Sequence, residues 1–216
     1  GSPLENDVLN AMMTHETSFF RDKTPFETLK SIIPDFVKQR AATKQLTIWS
    51  AACSTGQEPY SIAILLNEQF RDLLASWKVR IVATDISTVV LERGREGVFS
   101  ELEIVRGLPQ PLLTKYFHPF QGNWSITQSC RQLVEFRQLN LTDTWPIMMP
   151  HDIVFLRNVL LYFDTKTRGE VLEKIARAIP PDGALFLGGA ETTLGLNSGY
   201  ERLTGKGCSY YRPEQS

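Results

Sequence analysis

Residues 46–61 constrain the fold more than any other stretch of this chain. They begin with an apolar run that ends at Trp49, continue through small residues to Gly56, and reach Pro59 at the start of a helix-like segment. This order predicts a buried strand, a tight turn and a helix. A strand that feeds a glycine-containing turn at a helix start is a common site for nucleotide-like cofactors.

A second strand-like run covers residues 78–84 and ends in Asp85, which is followed by a helix-like segment at 87–96. An acid at the end of the second strand is placed to accept hydrogen bonds from ribose hydroxyls. The turn at Gly56 is not G-x-G-x-x-G, which argues against a dinucleotide. S-adenosylmethionine, which has a ribose but no phosphate, fits these residues better.

Composition excludes several classes of protein. The 216 residues are 42% hydrophobic and 22% charged, as in one globular domain with a sizeable core. The formal net charge of -1 gives no electrostatic case for nucleic-acid binding. The three cysteines are scattered and contain no C-x-x-C pair, so we expect neither a disulfide framework nor a metal site. We expect the protein to work in a reducing, cytoplasmic setting. No apolar run approaches the ~20 residues that insert in a bilayer.

Strands and helices alternate along the rest of the chain, which predicts a mostly parallel sheet covered on both faces. Residues 97–130 break this alternation, and we expect a helical piece and a short hairpin there. The N-terminal residues 4–13 are expected to form a short helix. We interpret residues 1–3 as added, with the natural start missing. Further strands are predicted at 133–139, 151–156 and 184–188, and further helices at 24–36 and 166–179. In the helix at 24–36, Thr24 is the predicted N-cap and Glu27 the capping-box glutamate.

Five collinear motifs carry a specific resemblance that runs from about residue 13 to about residue 191. The chain resembles the CheR family of S-adenosylmethionine-dependent protein-glutamate O-methyltransferases, which act on bacterial chemoreceptors. The motifs cover residues 14–22, 50–61, 83–86, 140–141 and 157–164.

The resemblance implies a doubly wound α/β fold of the class I methyltransferase type, with a mostly parallel seven-stranded sheet and a small inserted β excursion. Residues 1–36 would be an N-terminal helical segment with the first motif, as the remnant of a truncated domain. Residues 37–216 would form the methyltransferase domain, with the insertion at about 117–131. The implied partner is the cytoplasmic helical domain of a chemoreceptor, and we expect a monomer.

The resemblance also assigns roles to individual residues. Arg21 and Tyr162 would border the sulfonium methyl as the catalytic residues. The chain departs from the family pattern at His15, where an asparagine is usual, at Gln57 and at Gly189. The residues implied to bind S-adenosylmethionine or its product S-adenosylhomocysteine are His15, Thr17, Arg21, Gly56, Glu58, Asp85, Asn140, Leu141, Arg157 and Asn158.

Simpler structural roles compete with these assignments. In these alternatives, Tyr162 is a core aromatic residue and Asp85 caps the helix that follows it. Glu58 is a favourable charge at a helix start, and Arg157 is a partner in an ion pair. His118 and His151 are interpreted as surface or boundary residues, and the tryptophans as packing residues. Two other functions stay open, a cofactor sensor without catalysis and a methyltransferase for a non-chemotactic receptor.

The chemistry favours a carboxylate substrate. A glutamate side chain, with a reference pKa near 4.3, is ionised at neutral pH and needs no general base to attack a methyl group. The motifs contain no obvious base. This interpretation agrees with methyl ester formation.

Overall fold

A computed structural model describes residues 16–72, 74–145, 149–193 and 199–214. The helices in this part of the chain are α1 Thr24–Gln39, α2 Gln57–Gln69, α3 Thr88–Glu96, α4 Glu101–Val105, α5 Gln110–Tyr116, α6 Gln128–Arg131 and α7 Thr165–Ala178, with a 3₁₀ turn at Leu160–Tyr162. The strands are β1 Gln45–Ala51, β2 Lys78–Asp85, β3 Val98–Phe99, β4 Phe117–Phe120, β5 Asn123–Ile126, β6 Val134–Gln138, β7 Ile153–Leu156, β8 Ala184–Leu187, β9 Tyr200–Thr204 and β10 Ser209–Pro213.

Seven of the described strands form one sheet in the order β6-β2-β1-β7-β8-β10-β9. The five strands from β6 to β8 are parallel, and β10 and β9 are antiparallel to their neighbours. The chain winds outward from β1 in one direction and from β7 in the other. The topological switch point therefore lies between β1 and β7, where open α/β sheets bind ligands beyond the carboxyl ends of their strands. This confirms the predicted doubly wound, mostly parallel fold.

Hydrophobic residues cover both faces of the sheet. Alternate residues of each strand belong to opposite clusters, because successive side chains of a strand point to opposite faces. Ile48 packs with helices α1 and α2, whereas its neighbour Trp49 packs with Val171 and Ile175 of α7. Two covered faces explain why the central strands consist of continuous apolar runs.

A second, three-stranded sheet has the order β3-β5-β4. Its hairpin, β4 and β5, turns at Gln121 and Gly122, and its third strand contributes only two residues. Phe99 and Phe117 of this sheet pack edge-on against the ring of Phe19, which is fully buried. The small sheet thus supports the segment that precedes α1.

The start of α1 differs from the prediction. Thr24 is the first helical residue rather than the N-cap, and the N-cap position, Lys23, makes no side-chain capping bond. Pro25 does lie in the first turn. The helix continues through Pro34 to Gln39 and so exceeds the predicted end at residue 36.

The interpretation of His151 as a surface or boundary residue was wrong. Its side chain is buried, and its ring centroid lies 5.2 Å from that of Trp49, which is fully buried as expected. Burial, with smaller contributions from Arg80 and Arg137, lowers the pKa of His151 from 6.5 to about 4. Burial therefore disfavours the protonated form of this ring in the folded protein.

We expect this histidine to make the protein sensitive to mild acid. Between pH 6.5 and about 4, the unfolded chain binds a proton on His151 that the folded chain does not bind. Stability is therefore complete above pH 6.5 and falls by about 2–3 kcal/mol as the pH drops to 4. Urea unfolding of wild type and His151→Gln across this range measures the effect. The exposed His118 provides the control His118→Gln. An equal pH dependence in wild type and His151→Gln would contradict the assignment.

Candidate functional site

A cavity lies at the carboxyl edge of the sheet, at the switch point between β1 and β7. It brings together most of the residues that the sequence predicted. The lining residues are Glu16, Thr17, Ser18, Arg21, Ala52, Cys53, Ser54, Glu58, Asp85, Arg157, Asn158, Val159 and Tyr162. His15 lies outside the described residues. Gly56, Asn140 and Leu141 are not part of this lining.

The turn after β1 forms the floor of the cavity in a strained conformation. Ala52 and Ser54 both have φ angles in the left-handed region, at 58° and 49°. Such angles cost of order 1–3 kcal/mol in residues other than glycine and persist where the surrounding structure holds them. Here the amide of Cys53 donates to the carbonyl of Thr84, at 2.9 Å, and the amide of Ser54 donates to the Asp85 carboxylate. The floor of the cavity is thus attached to the end of β2.

Asp85 is buried, and each of its carboxylate oxygens accepts one backbone hydrogen bond. Oδ2 accepts from the amide of Ser54 at 2.9 Å, and Oδ1 accepts from the amide of Ser87 at 3.1 Å. Ser87, not Asp85, is the N-cap of α3. A carboxylate has about four acceptor positions. These two backbone bonds from Ser54 and Ser87 therefore occupy only part of its accepting capacity.

Glu58, in the first turn of α2, is joined to Arg157 at the end of β7. One oxygen of Glu58 accepts from the Ser50 hydroxyl at 2.7 Å, and the other accepts from Nη1 of Arg157 at 2.9 Å. Nη2 of Arg157 donates to the Asp22 carboxylate at 2.6 Å and to the carbonyl of Arg21 at 3.1 Å. Arg157 is therefore in the ion pair that the sequence left open as an alternative, and it also lines the cavity.

The Nε of Arg157 is a buried donor that finds no acceptor among the described residues. The side chain of Arg157 is only 1% exposed. An unpaired buried donor costs about 1–3 kcal/mol, and more on a charged group. A ligand oxygen in the cavity would remove this cost.

Glu191 is a site residue whose role the sequence analysis missed. Its Oε1 accepts from the amides of Val159 and Leu160 at 2.8 and 2.7 Å, and its Oε2 accepts from the amides of Asn158 and Gly188, both at 2.7 Å. These bonds hold Asn158 in a left-handed conformation, with φ of 58°. A Cβ on Gly188 would lie 2.7 Å from Oε2 of Glu191, so glycine is required there. The only sequence signal was an acid soon after β8.

Arg21 and Tyr162 reach the cavity from two different segments. The Arg21 guanidinium donates to the carbonyl of Glu16 at 2.7 Å. The amide of Phe20 donates to Ser61 of α2 at 2.9 Å, which attaches this segment to the domain. Tyr162 belongs to the 3₁₀ turn and is 52% exposed, so it is not the core aromatic that its apolar neighbours suggested.

Three predicted cofactor residues lie outside the cavity lining. Gly56 precedes α2 in a left-handed conformation, and a Cβ there would meet Phe136 and the backbone of Gly94 at 3.2 and 3.3 Å. Asn140 and Leu141 follow β6, which is next to β2 at the same edge of the sheet. The ammonium group of Lys174 holds this loop by three backbone carbonyls, those of Leu141, Thr142 and Asp143.

Other kinds of site find no support in this region. Burial, followed by the charge of Asp85, raises the pKa of the Cys53 thiol well above its usual value, so the thiol is not a reactive thiolate. The described part of the chain has no group of three His, Cys, Asp or Glu side chains that could hold a metal ion. In the same residues, every helix is too short or too polar to cross a bilayer.

The sheet order, the acid at the end of β2 and the cavity at the switch point define a class I methyltransferase domain of the doubly wound α/β type. Residues 15–206 match the family described as CheR methyltransferase, SAM binding domain. The chain belongs to this family.

Curated relatives agree with the family match. The chain is 43% identical to chemotaxis protein methyltransferase Cher2 of Pseudomonas putida and 40% identical to chemotaxis protein methyltransferase 1 of Pseudomonas aeruginosa. Each match covers 93% of this chain and 74% of the relative. The chemotaxis protein methyltransferase of Borreliella burgdorferi is 36% identical over 88% of this chain and 68% of that protein. The domain therefore takes S-adenosylmethionine as its cofactor.

The cavity residues fit this cofactor. Asp85 lies at the end of β2, where a carboxylate is placed to accept from ribose hydroxyls, and the Nε of Arg157 has no acceptor among the described residues. Bound S-adenosylmethionine supplies an electrophilic methyl group on its sulfonium sulfur. The predicted cofactor contacts in the described part of the chain stay predictions: Thr17, Arg21, Gly56, Glu58, Asp85, Asn140, Leu141, Arg157 and Asn158.

Proposed function

We propose that this chain transfers a methyl group from S-adenosylmethionine to glutamate side chains of a chemoreceptor and so forms methyl esters. The substrate region would be the cytoplasmic helical domain of the receptor. The enzyme would act in the cytoplasm as a monomer. Family membership supports methyl transfer, and the contents of the cavity support a carboxylate as the group that is methylated.

The main support for the proposal is that the described lining of the cavity offers no obvious general base. No histidine is among the described lining residues. Both oxygens of Glu58 and both oxygens of Asp85 already accept hydrogen bonds, and Glu16 is exposed. The Cys53 thiol is held neutral by its raised pKa. This set of groups suits a nucleophile that is ionised before it binds, as a glutamate is.

Arg21 is the candidate for holding the substrate. A guanidinium can bind one oxygen of a carboxylate and leave the other free to attack. Arg21 lines the cavity, and the ion pair that Arg157 forms with Asp22 fixes the next residue of the chain. Tyr162, from the opposite side of the switch point, would border the reacting methyl group. Positioning by these two residues would supply much of the rate enhancement.

We expect Arg21→Lys to lower kcat by about tenfold to a hundredfold, because an ammonium group does not reproduce the directed donors of a guanidinium. The affinity for S-adenosylhomocysteine should change by less than about threefold, since lysine keeps the positive charge beside the cofactor while the transition state loses the directed donors. Methyl-transfer kinetics and calorimetry measure the two effects, with Arg202→Lys, at an exposed position of β9 outside the lining of the cavity, as the control. Equal losses of kcat and affinity would contradict the assignment.

The chemical stability of the product tests the proposed reaction. The chain is incubated with methyl-tritiated S-adenosylmethionine and the cytoplasmic fragment of a chemoreceptor, and the labelled receptor is then treated with base. We expect volatile methanol, because carboxyl esters hydrolyse in base. Base-stable label would indicate N-methylation. An unlabelled receptor, together with intact cofactor binding, would indicate a sensor.

A further inference from the structure

Exposed apolar side chains concentrate beside the cavity. Single exposed hydrophobic residues are normal on a protein surface, but contiguous ones mark interaction sites. Val89 of α3 is 61% exposed, and Leu102 and Val105 of α4 are 69% and 62% exposed. The remaining large hydrophobic side chains that are exposed in the described part of the chain are Phe120, Met149, Leu161 and Tyr162.

Val89 of α3 and Leu102 of α4 line the same groove. The groove holds about 350 Å³. Val105 lies three residues after Leu102, so the two side chains are neighbours on one face of α4. We call this feature the α3/α4 groove. Its lining residues are Glu16, Thr17, Thr55, Gln57, Ser87, Val89, Val90, Arg93, Leu102, Glu103 and Arg106.

The α3/α4 groove adjoins the cavity at the switch point. Glu16 and Thr17 line both of them. Arg21, on the same segment, lines the cavity. A chain that occupied the groove would therefore pass beside the place where the methylated side chain must enter.

The two arginines of the groove differ, because in the described part of the chain Arg93 already forms an ion pair and Arg106 does not. Arg93 donates to Glu103 at 2.9 Å, and Glu103 also accepts bonds from Ser100 at the start of α4. Arg106, at the end of α4, is exposed, and no carboxylate of the described residues lies within 4 Å of its guanidinium. An uncommitted guanidinium beside apolar side chains is complementary to a segment with acidic and apolar residues on one face.

We propose that the α3/α4 groove binds the helical segment of the protein substrate that flanks the methylated glutamate. Apolar residues one turn away from that glutamate would pack on Val89, Leu102 and Val105, as in other complexes of an amphipathic helix with a groove. An acidic residue of the segment would pair with Arg106. This inference rests on the proposed function, which supplies a helical substrate with a glutamate at the reaction site.

Binding of the receptor fragment tests the groove without requiring methyl transfer. Fluorescence anisotropy of a labelled cytoplasmic receptor fragment, with S-adenosylhomocysteine present, gives the Kd for wild type, Leu102→Asp and Arg106→Glu. We expect each substitution to raise Kd about tenfold and the KM for the fragment in step with it. The affinity for S-adenosylhomocysteine should not change. The controls are Met149→Asp and Arg202→Glu, two exposed positions outside the groove.

The outcomes separate the groove from the reaction. A rise in Kd of less than about fivefold in both groove variants would overturn the inference, as would equal rises in the controls. Failure of wild type to bind the fragment would also overturn it. Base-stable or missing label, by contrast, would count against the proposed ester chemistry while the Kd values still judge the groove.

Discussion

Replacing Arg157 with methionine is expected to lower the free energy of unfolding by about 3–5 kcal/mol, because it leaves a buried charge without its partner. Arg157 is almost completely buried, and Glu58, which it neutralises, is only 13% exposed. Without Arg157, the Ser50 hydroxyl is the only side-chain donor among the described residues that still bonds to the Glu58 carboxylate. Urea unfolding measures the loss. Cofactor affinity should fall as well, because the guanidinium lines the cavity.

Two further variants give this prediction its control. Arg93→Met removes a guanidinium that is half exposed and paired with Glu103, so it should cost no more than about 1 kcal/mol. The double variant Arg157→Met with Glu58→Gln should recover part of the stability, because no buried charge is then left alone. If Arg157→Met and Arg93→Met destabilised the protein equally, the buried ion pair would not have the role described.

Replacing Glu191 with glutamine is expected to lower the free energy of unfolding by roughly 2–4 kcal/mol and to reduce methyl transfer at least about tenfold. The carboxylate accepts four backbone hydrogen bonds, each 2.7–2.8 Å long. A glutamine has nearly the same size, but its amide nitrogen would face two N–H donors. The loop with Asn158 would then lose the support for its left-handed conformation, and Tyr162 would lose its position.

The matched substitution is Glu201→Gln, which changes an exposed glutamate of β9. It should leave both stability and methyl transfer unchanged. Unfolding experiments and initial rates with a receptor fragment provide the two measurements. A Glu191→Gln enzyme with wild-type kinetics would show that the four bonds do not position the catalytic loop.

The central part of the fold could be predicted because its signals are local. The apolar runs before Ala52 and Asp85 are long enough to identify buried strands, and the turn and the acid follow them directly. The strands β9 and β10 were not assigned. Each has five residues of mixed polarity. β10 pairs with β8 and the edge strand β9 pairs with β10, so their place in the sheet depends on contacts between strands.

The candidate site was predictable to the extent that its residues follow strand ends. The carboxyl ends of β1, β2 and β7 meet at one edge, so Glu58, Asp85 and Arg157 had to lie close together. The partners of these residues could not be predicted from the sequence. The bonds of Arg157 to Asp22 and of Glu191 to the amides of residues 158–160 join segments more than 30 residues apart. Only the tertiary structure creates them.

The burial of His151 also depended on tertiary structure. It precedes β7 in the sequence, where a surface position is common, but its ring is buried against that of Trp49 in β1. The sequence around His151 therefore gives no local pattern from which its burial could be predicted.

Calorimetric titration of wild type and Asp85→Ala with S-adenosylhomocysteine is the most direct test of the cofactor site at the switch point. The wild type should bind one equivalent. The variant should bind at least about tenfold more weakly, because it loses the predicted acceptor for the ribose and the hydrogen bond that attaches the Ser54 turn. Thermal unfolding of both proteins confirms that they are folded. Equal affinity of the two folded proteins, or no binding by the wild type, would contradict the location of the cofactor in this cavity.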